Sequence, residues 1–237
     1  MNLFSKISEI STKDDLSWSN RLFLTLDIDW ANDDVINHSI DLVEEFDVPA
    51  TWFITHNTPA LERLRNNPKF ELGIHPNFNP LLKGDFTNGT TASEVIDRLM
   101  QLVPEATSVR SHFMTQSSYL ISLFSEKGLT HECNHFIPEQ ANIELKPWEH
   151  WLNMTKVPYF WEDDVVCLSK NNSDLYTLKK REGLKVFDFH PIHLFLNTSD
   201  ISLYNECRNF LSDTKLLSKK INRGNGSASW LKILLSQ

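Results

Sequence analysis

The sequence is poor in cysteine, in basic residues and in long apolar runs, and each shortage excludes a class of protein. Its three cysteines are odd in number and far apart, and no Cys-x-x-Cys pair occurs, so neither a disulfide framework nor a cysteine zinc site is predicted. No apolar stretch approaches the roughly 18 residues that a membrane-spanning helix needs. The first residues never build the apolar run of a signal peptide, so we expect a cytoplasmic protein.

Acidic residues outnumber basic ones, with 31 Asp and Glu against 23 Lys and Arg, which gives a formal charge of −8 over 237 residues. The longest basic run is residues 179–181. An acidic chain without a basic patch is poorly suited to binding phosphate backbones, so no nucleic-acid partner is expected. The composition, 41% hydrophobic and 23% charged, is otherwise typical of a soluble globular protein.

Apolar runs of strand length alternate with helical patterns along the chain. Strands are predicted over residues 22–26, 50–55, 70–74, 108–110, 129–133, 157–161 and 185–189. Helices are predicted over residues 33–46 (with Asp33 or Asp34 as the N-cap), 59–66, 93–102, 117–127, 203–211 and 230–234, and residues 148–151 are expected to be a loop or helix over the site.

This alternation predicts an α/β fold in which helices cover a parallel sheet. About seven strands favour a closed or nearly closed (β/α) barrel over a doubly wound open sheet. No repeat, low-complexity tract or flexible linker divides the chain, so a single domain over residues 1–237 is expected.

Polar residues follow four of the predicted strands, at the edge where parallel α/β folds place their sites. They are Asp27 and Asp29, His75, Arg110 and His112, and finally His190 and His193. Carboxylate oxygens and imidazole nitrogens suit a zinc-like divalent ion, and three protein ligands with one open position are the pattern of a catalytic zinc site.

In this order, these residues resemble the motifs of the polysaccharide deacetylases with NodB homology, and the resemblance runs over about residues 22–195. It implies a distorted (β/α) barrel and metal-dependent removal of an N-acetyl group from an amino-sugar substrate. The acid pair of the first motif implies Asp27 as the general base and Asp29 as a metal ligand. His75 corresponds to the metal-binding histidine of the second motif.

The later motifs of the family imply three more roles. Arg110 matches the arginine that orients the base. His190 matches the general acid at the end of a late strand, with His193 in reserve. Asp163, within the acidic run 162–164, matches the aspartate that partners the arginine.

Two departures from the family pattern concern the metal site. The family's second metal-binding histidine, four residues after the first, is Asn79 here, and an amide oxygen is a weaker zinc ligand than imidazole. His112 stands where the family usually has proline, and it can supply the missing nitrogen. Either His112 or Asn79 completes the predicted site, with zinc the expected ion. The combination looks like a divergent branch of the kind associated with surface-polysaccharide loci.

Two alternatives remain. A haloacid-dehalogenase-type phosphatase also has an Asp-x-Asp after its first strand, a Thr after the second and a late acidic pair, which Thr55 and residues 163–164 mimic. That chemistry leaves the histidines at the strand ends without a role. A catalytically inactive carbohydrate-binding homologue would instead purify without a stoichiometric ion. The sequence does not determine the sugar, the acyl group or the oligomeric state.

Overall fold

A computed structural model describes residues 3–169 and 174–236. Its strands are β1 Phe4–Ser5, β2 Leu22–Asp27, β3 Ala50–Ile54, β4 Phe70–Ile74, β5 Ser108–Val109, β6 His131–Glu132, β7 Trp148–His150, β8 Met154–Lys156, β9 Trp161–Glu162 and β10 Lys185–Phe189. Its helices are α1 Asp33–Phe46, α2 Ala60–Asn66, α3 Asn79–Leu82, α4 Ala92–Leu102, α5 Ser118–Glu126, α6 Asp163–Ser169, α7 Leu175–Leu178, α8 Pro191–Leu196, α9 Ile201–Cys207, α10 Thr214–Leu217 and α11 Ser227–Leu235.

The strands form one curled sheet in the order β7-β8-β6-β5-β4-β3-β2-β10-β9, and β1 pairs with β2 beside this path. Every pair is parallel except β7 with β8. The sheet is a half barrel, which confirms the predicted distorted (β/α) barrel. The described residues contain ten strands rather than about seven, because several strands have only two or three residues.

The strand predicted over residues 157–161 is wrong. The chain instead forms β8 over Met154–Lys156 and β9 over Trp161–Glu162, and the residues between them form a buried connection. Apolar residues buried by packing give the same sequence pattern as a buried strand, so periodicity cannot separate the two. Residues 148–151 are also not the loop or helix expected over the site, because β7 pairs antiparallel with β8 at the sheet edge.

The central strands are buried on both faces, as expected for a parallel sheet covered by helices. All six residues of β2 and all five of β10 are buried, and the two strands are paired over residues 22–26 and 185–189. They carry the first and last polar groups of the site, so their pairing brings these groups together. Among the described residues, no helix is long and apolar enough to cross a membrane.

The N-cap of helix α1 is not Asp33 or Asp34, as the sequence suggested, but the residue before them. Its N-cap is Asn32, whose side-chain oxygen accepts a hydrogen bond from the backbone N–H of Val35 at 3.1 Å. Asp33 and Asp34 lie in the first turn, where carboxylates interact favourably with the positive end of the helix dipole. Because the cap is Asn32, the chain turns into the helix three residues after Asp29.

Gly73 in β4 provides the space that the centre of the site requires. A Cβ at this position would lie 2.7 Å from the ring of Phe53 and 2.6 Å from Oγ of Ser108. The Phe53 ring in turn packs against the guanidinium of Arg110, with 4.7 Å between the guanidinium carbon and the ring centroid. Gly73, two residues before His75, therefore allows the Phe53 ring to pack close to β4.

Candidate active site

The C-terminal ends of the central strands open into a cleft of about 800 Å³. The sequence-predicted residues that line it are Asp27, Asp29, His75, Arg110, His112, His190 and His193. They come from segments far apart in the chain, so the order of strands in the sheet brings them together.

Three of these side chains place ligand atoms around a common point. Oδ1 of Asp29 lies 3.3 Å from Nε2 of His75 and 3.3 Å from Nδ1 of His112. The two ring nitrogens are 3.2 Å apart. Tetrahedral zinc sites have metal–ligand distances of about 2.0–2.2 Å, which puts neighbouring ligand atoms roughly 3.3–3.6 Å apart. The geometry therefore fits a tetrahedral divalent ion.

The charges of this group also suit a cation. Burial would raise the pKa of the Asp29 carboxyl, but the imidazoles of His112 and His75 hold that pKa well below its usual value. Oδ1 of Asp29 is buried and has no hydrogen-bond partner of normal geometry in the described structure. Burial would lower the pKa of His75, but Asp27 and Asp29 outweigh it and raise that pKa. An ion at this point would satisfy the carboxylate and displace a proton from His75.

Asn79 is the other candidate for the third ligand. It is the first residue of α3 and is not among the residues that line the cleft, whereas His112 stands beside Asp29 and His75. The structure therefore favours the histidine.

Arg110 is buried at the centre of the site and is shared by two carboxylates. Its Nη1 donates to Oδ1 of Asp27 at 3.0 Å and also contacts Oδ1 of Asp188. The guanidinium lies between two rings, 4.7 Å from the centroid of Phe53 and 4.4 Å from that of Tyr159. The two aromatic rings pack on the faces of the guanidinium, and the two carboxylates bind its edge. These contacts hold the guanidinium in one orientation and fix Asp27 beside it.

The prediction that Asp163 partners Arg110 is wrong. Oδ1 of Asp163 lies 2.8 Å from Nδ1 of His190, and its Oδ2 accepts from the His190 backbone N–H at 3.2 Å and from Oγ of Ser227 at 2.5 Å. Burial would lower the pKa of His190, but Asp163 outweighs it and raises that pKa well above its usual value. Asp163 is at the start of α6, and the pairing of β9 with β10 places it beside His190 rather than Arg110.

Asp188 is the partner of Arg110 that sequence reasoning missed. Its Oδ1 accepts from Oγ1 of Thr25 at 2.6 Å, across the β2–β10 pair. Burial and the neighbouring Asp27 raise the pKa of Asp188 to about 7, against the opposing effect of Arg110. A signal was present: a carboxylate between two phenylalanines in a buried strand needs a partner, and Asp188 stands on the same strand face as His190.

His193, the reserve candidate for the general acid, lies in the first turns of α8. Its ring is buried, and burial lowers its pKa. Nδ1 of His193 has no hydrogen-bond partner in the part of the chain the structure describes, whereas His190 is held by Asp163. A neutral, unsupported imidazole is a poorer proton donor than a carboxylate-paired one, so the structure favours His190.

An acidic pair missed as part of the site lies beside His190. Glu162 accepts a hydrogen bond from the Tyr159 hydroxyl at 3.1 Å. Burial and the charge of Asp164 raise the pKa of Glu162 well above its usual value. Both carboxyl groups line the cleft. Together with Asp27 and Asp29, they make the floor of the cleft acidic.

The mouth of the cleft carries strained and exposed apolar residues, which we call the apolar rim: Trp30, Phe113 and Met114. Their φ angles are 55°, 55° and 52°, in the left-handed region that side chains other than glycine rarely adopt. Trp30 is 45% exposed and Phe113 is 75% exposed. Asp29, with φ of 37°, is strained as well. Each of the ligand candidates Asp29 and His112 is therefore followed by a strained residue.

A parallel half barrel with aspartate, histidine and arginine side chains at its strand ends defines the architecture of the polysaccharide deacetylases. The family model for WbmS-like polysaccharide deacetylases matches residues 24–208, so the chain belongs to this family. This confirms the resemblance seen in the sequence and supports a carbohydrate deacetylase over the phosphatase alternative.

Two solved structures extend the comparison. A protein from Bordetella bronchiseptica, assigned as a polysaccharide deacetylase involved in O-antigen biosynthesis, is 44% identical over 99% of this chain and 97% of its own, with a TM-score of 0.92. A protein from Mycobacterium smegmatis assigned to the same class is 15% identical over 72% of this chain and 76% of its own, with a TM-score of 0.52, and shares the fold. No curated protein matches the chain.

Proposed function

We propose that the protein is a metal-dependent N-deacetylase that hydrolyses the acetamide of an amino sugar in a polysaccharide or its precursor. The observation that carries this proposal is the triangle of ligand atoms on Asp29, His75 and His112, with sides of 3.2–3.3 Å. A divalent ion bound there, with zinc the expected one, would supply a Lewis acid that polarises the acetyl carbonyl and activates water.

Asp27 is suited to take a proton from the attacking water. It stands two residues before Asp29, and its Oδ2 lies 3.4 Å from Nδ1 of His75. Its Oδ1 is held by Arg110 at 3.0 Å, which leaves Oδ2 to face the reacting groups. The arginine thus serves as a positioning residue for the base.

His190 is suited to give a proton to the leaving amine. Its Nδ1 is held by Asp163, so its Nε2 is the proton-donating atom, and it lies 3.8 Å from Oδ2 of Asp29. The raised pKa favours the protonated imidazole, which is the form that the expulsion of an amine requires. Base and acid therefore approach the candidate metal site from adjacent strands, β2 and β10.

The test is acetate release from N-acetylated sugars by protein with and without a chelator, followed by reloading with zinc. We expect release that stops with the chelator and returns with the ion. Asp27→Asn is the matched control, since it should bind the ion but release acetate about 10²–10⁴-fold more slowly. Acetate release that ignores the chelator would contradict metal dependence. No release from nucleotide-sugar, lipid-linked or polymer substrates with a filled site would favour the inactive sugar-binding alternative.

The cytoplasmic location expected from the sequence also remains a proposal. Cys133, Cys167 and Cys207 are free and buried, which is compatible with a reducing compartment. Cell fractionation with antibodies against the protein tests this, and recovery in the periplasmic or extracellular fraction would contradict it.

A further inference from the structure

We infer that the cleft takes an amino sugar carrying an anionic group, a phosphate or a carboxylate, and that Arg208 is the side chain that binds this group. The inference rests on the proposed function, because it names the substrate class of the same cleft.

Two arginines are among the residues lining the cleft, and only one is free for a ligand. Arg110 is buried and bound by Asp27 and Asp188. Arg208 is exposed, and its side chain makes no hydrogen bond or ion pair within residues 3–169 and 174–236. Glu206, the acid nearest to it in sequence, is paired instead with Lys220 at 3.2 Å. A positive charge at this cleft is thus left unneutralised by the protein.

Arg208 stands on a wall that the fold fixes in place. It begins the 3-10 turn Arg208–Phe210, directly after α9. Cys207 is fully buried beneath it in a small apolar cluster with Val35, Leu196 and Leu217. The side-chain amide of Asn32 donates to the backbone oxygen of Leu211 at 2.9 Å, which ties this wall to the start of α1. The wall is therefore held close to the Asp29 turn.

The charges of the cleft are divided between its floor and this wall. On the floor, Arg110 is bound by Asp27 and Asp188, and His190 is bound by Asp163, so neither cation is free to bind an anionic substituent. An anionic substituent remote from the acetamide is therefore best stabilised at the wall, where the side chain of Arg208 supplies an unpaired positive charge. A guanidinium binds phosphate or carboxylate through two parallel charge-assisted hydrogen bonds, whereas a neutral sugar offers only uncharged hydroxyl acceptors.

The same wall offers polar groups for the rest of the ligand. Asn205 and Asn209 flank Arg208 and line the cleft with exposed amides. The cleft volume of about 800 Å³ exceeds what a single acetamido sugar needs. The arrangement fits a substrate whose acetamide enters the floor while its phosphate or carboxylate stays at the wall.

The experiment compares four N-acetylated probes: UDP-N-acetylglucosamine, N-acetylglucosamine 1-phosphate, an N-acetylated uronic acid methyl glycoside and neutral N-acetylglucosamine methyl glycoside. We expect zinc-loaded wild type to prefer at least one anionic probe, with a preference that weakens as salt rises. Arg208→Gln should lower kcat/KM for that probe by about tenfold, mostly through KM, and change the neutral probe less than about twofold. The identity of the preferred probe shows whether the cleft binds a phosphate or a carboxylate.

Arg223→Gln is the matched control, because Arg223 is also exposed but does not line the cleft. This variant should leave kcat/KM for all four probes unchanged. Equal use of neutral and anionic probes by wild type, or an unchanged preference in Arg208→Gln, would overturn the inference.

A binding measurement separates this inference from the proposed function. If no probe releases acetate, the deacetylase proposal fails, and calorimetric titration of the same probes still decides the role of Arg208. Tighter binding of an anionic probe to wild type than to Arg208→Gln, by about tenfold, would support it. Equal affinity of both proteins for every probe would overturn it.

Discussion

The floor and the rim of the cleft are built in opposite ways. At the floor and directly behind it, Arg110, Asp188 and Asp163 are buried and held by several partners each. At the rim, Trp30 and Phe113 are exposed and strained. The floor is rigid because a buried charge without a partner is costly. The rim keeps a conformation that its own side chains disfavour, which is typical of residues retained for function rather than stability.

The largest effect is expected from removing a metal ligand on the floor. Asp29→Ala and His75→Ala should each abolish stoichiometric zinc and all chelator-sensitive activity, because three ligands become two. Asn79→Ala is the matched control and should keep its zinc, since Asn79 does not line the cleft. Metal analysis of the purified variants and their circular dichroism check this. Full occupancy in both ligand variants would show that the ion binds elsewhere.

Loss of the acid or the base should lower turnover by about 10²–10⁴-fold each. Asp27→Asn and His190→Ala are the variants, and both should still bind zinc. Steady-state kinetics with metal content measured on the same samples tests this. Turnover within twofold of wild type in either variant would remove that residue from the mechanism.

The contact between Asp163 and His190 predicts a shift in the pH profile. The negative charge of Asp163 raises the pKa of His190, so the acid stays protonated to a higher pH than a free imidazole. Asp163→Asn removes this charge, the pKa of His190 falls, and activity should be lost at lower pH on the alkaline side. Profiles of kcat against pH measure it. Asp164 does not bond Nδ1 of His190, so Asp164→Asn should shift the alkaline limb of the pH profile less than Asp163→Asn does. Equal shifts in the two variants would contradict the pairing of Asp163 with His190.

Changing the shape of the Arg110 head group should cost less than removing the base but more than about tenfold in turnover. Arg110→Lys keeps the charge and loses the planar group that lies between Phe53 and Tyr159 and reaches both Asp27 and Asp188. Kinetics at saturating zinc measures the loss. A fully active lysine variant would show that Asp27 needs no arginine to hold it.

The smallest and most selective effect is expected at the rim. Glycine adopts a left-handed backbone at no steric cost, so Trp30→Gly should leave the free energy of unfolding unchanged or raise it by about 1 kcal/mol, while KM for the sugar rises. Leu152→Gly is the matched control, because Leu152 has φ of 61°, is exposed and does not line the cleft. It should show the same stability change without the KM change. Marked destabilisation of Trp30→Gly would show that the residue is structural.

The sequence could predict the strand-end residues because they depend on local order and the two-residue repeat of a strand. Asp27 with Asp29 illustrates this, since both follow a buried apolar run. The sequence indicates that the buried Asp188 needs a partner, but it could not predict that this partner is Arg110, because the contact depends on the long-range pairing of β10 with β2. The prediction for Asp163 failed for the same reason, because the pairing of β9 with β10 places this residue beside His190 rather than Arg110.

The choice between His112 and Asn79 needed the structure for a different reason. His75 is followed by a loop and the short helix α3, so a spacing of four residues does not fix where Asn79 points. His112 comes from the end of the neighbouring strand β5, paired with β4 through Ile74 and Val109. Adjacent parallel strands bring their following residues together, which explains the 3.2 Å between the two imidazoles.

The most direct measurement of the central claim is an anomalous difference map from crystals of the protein grown with zinc. We expect one strong peak within about 2.0–2.2 Å of Oδ1 of Asp29, Nε2 of His75 and Nδ1 of His112. A filled map with the ion on other side chains, or no peak at this triangle in excess zinc, would contradict the metal-dependent deacetylase described above.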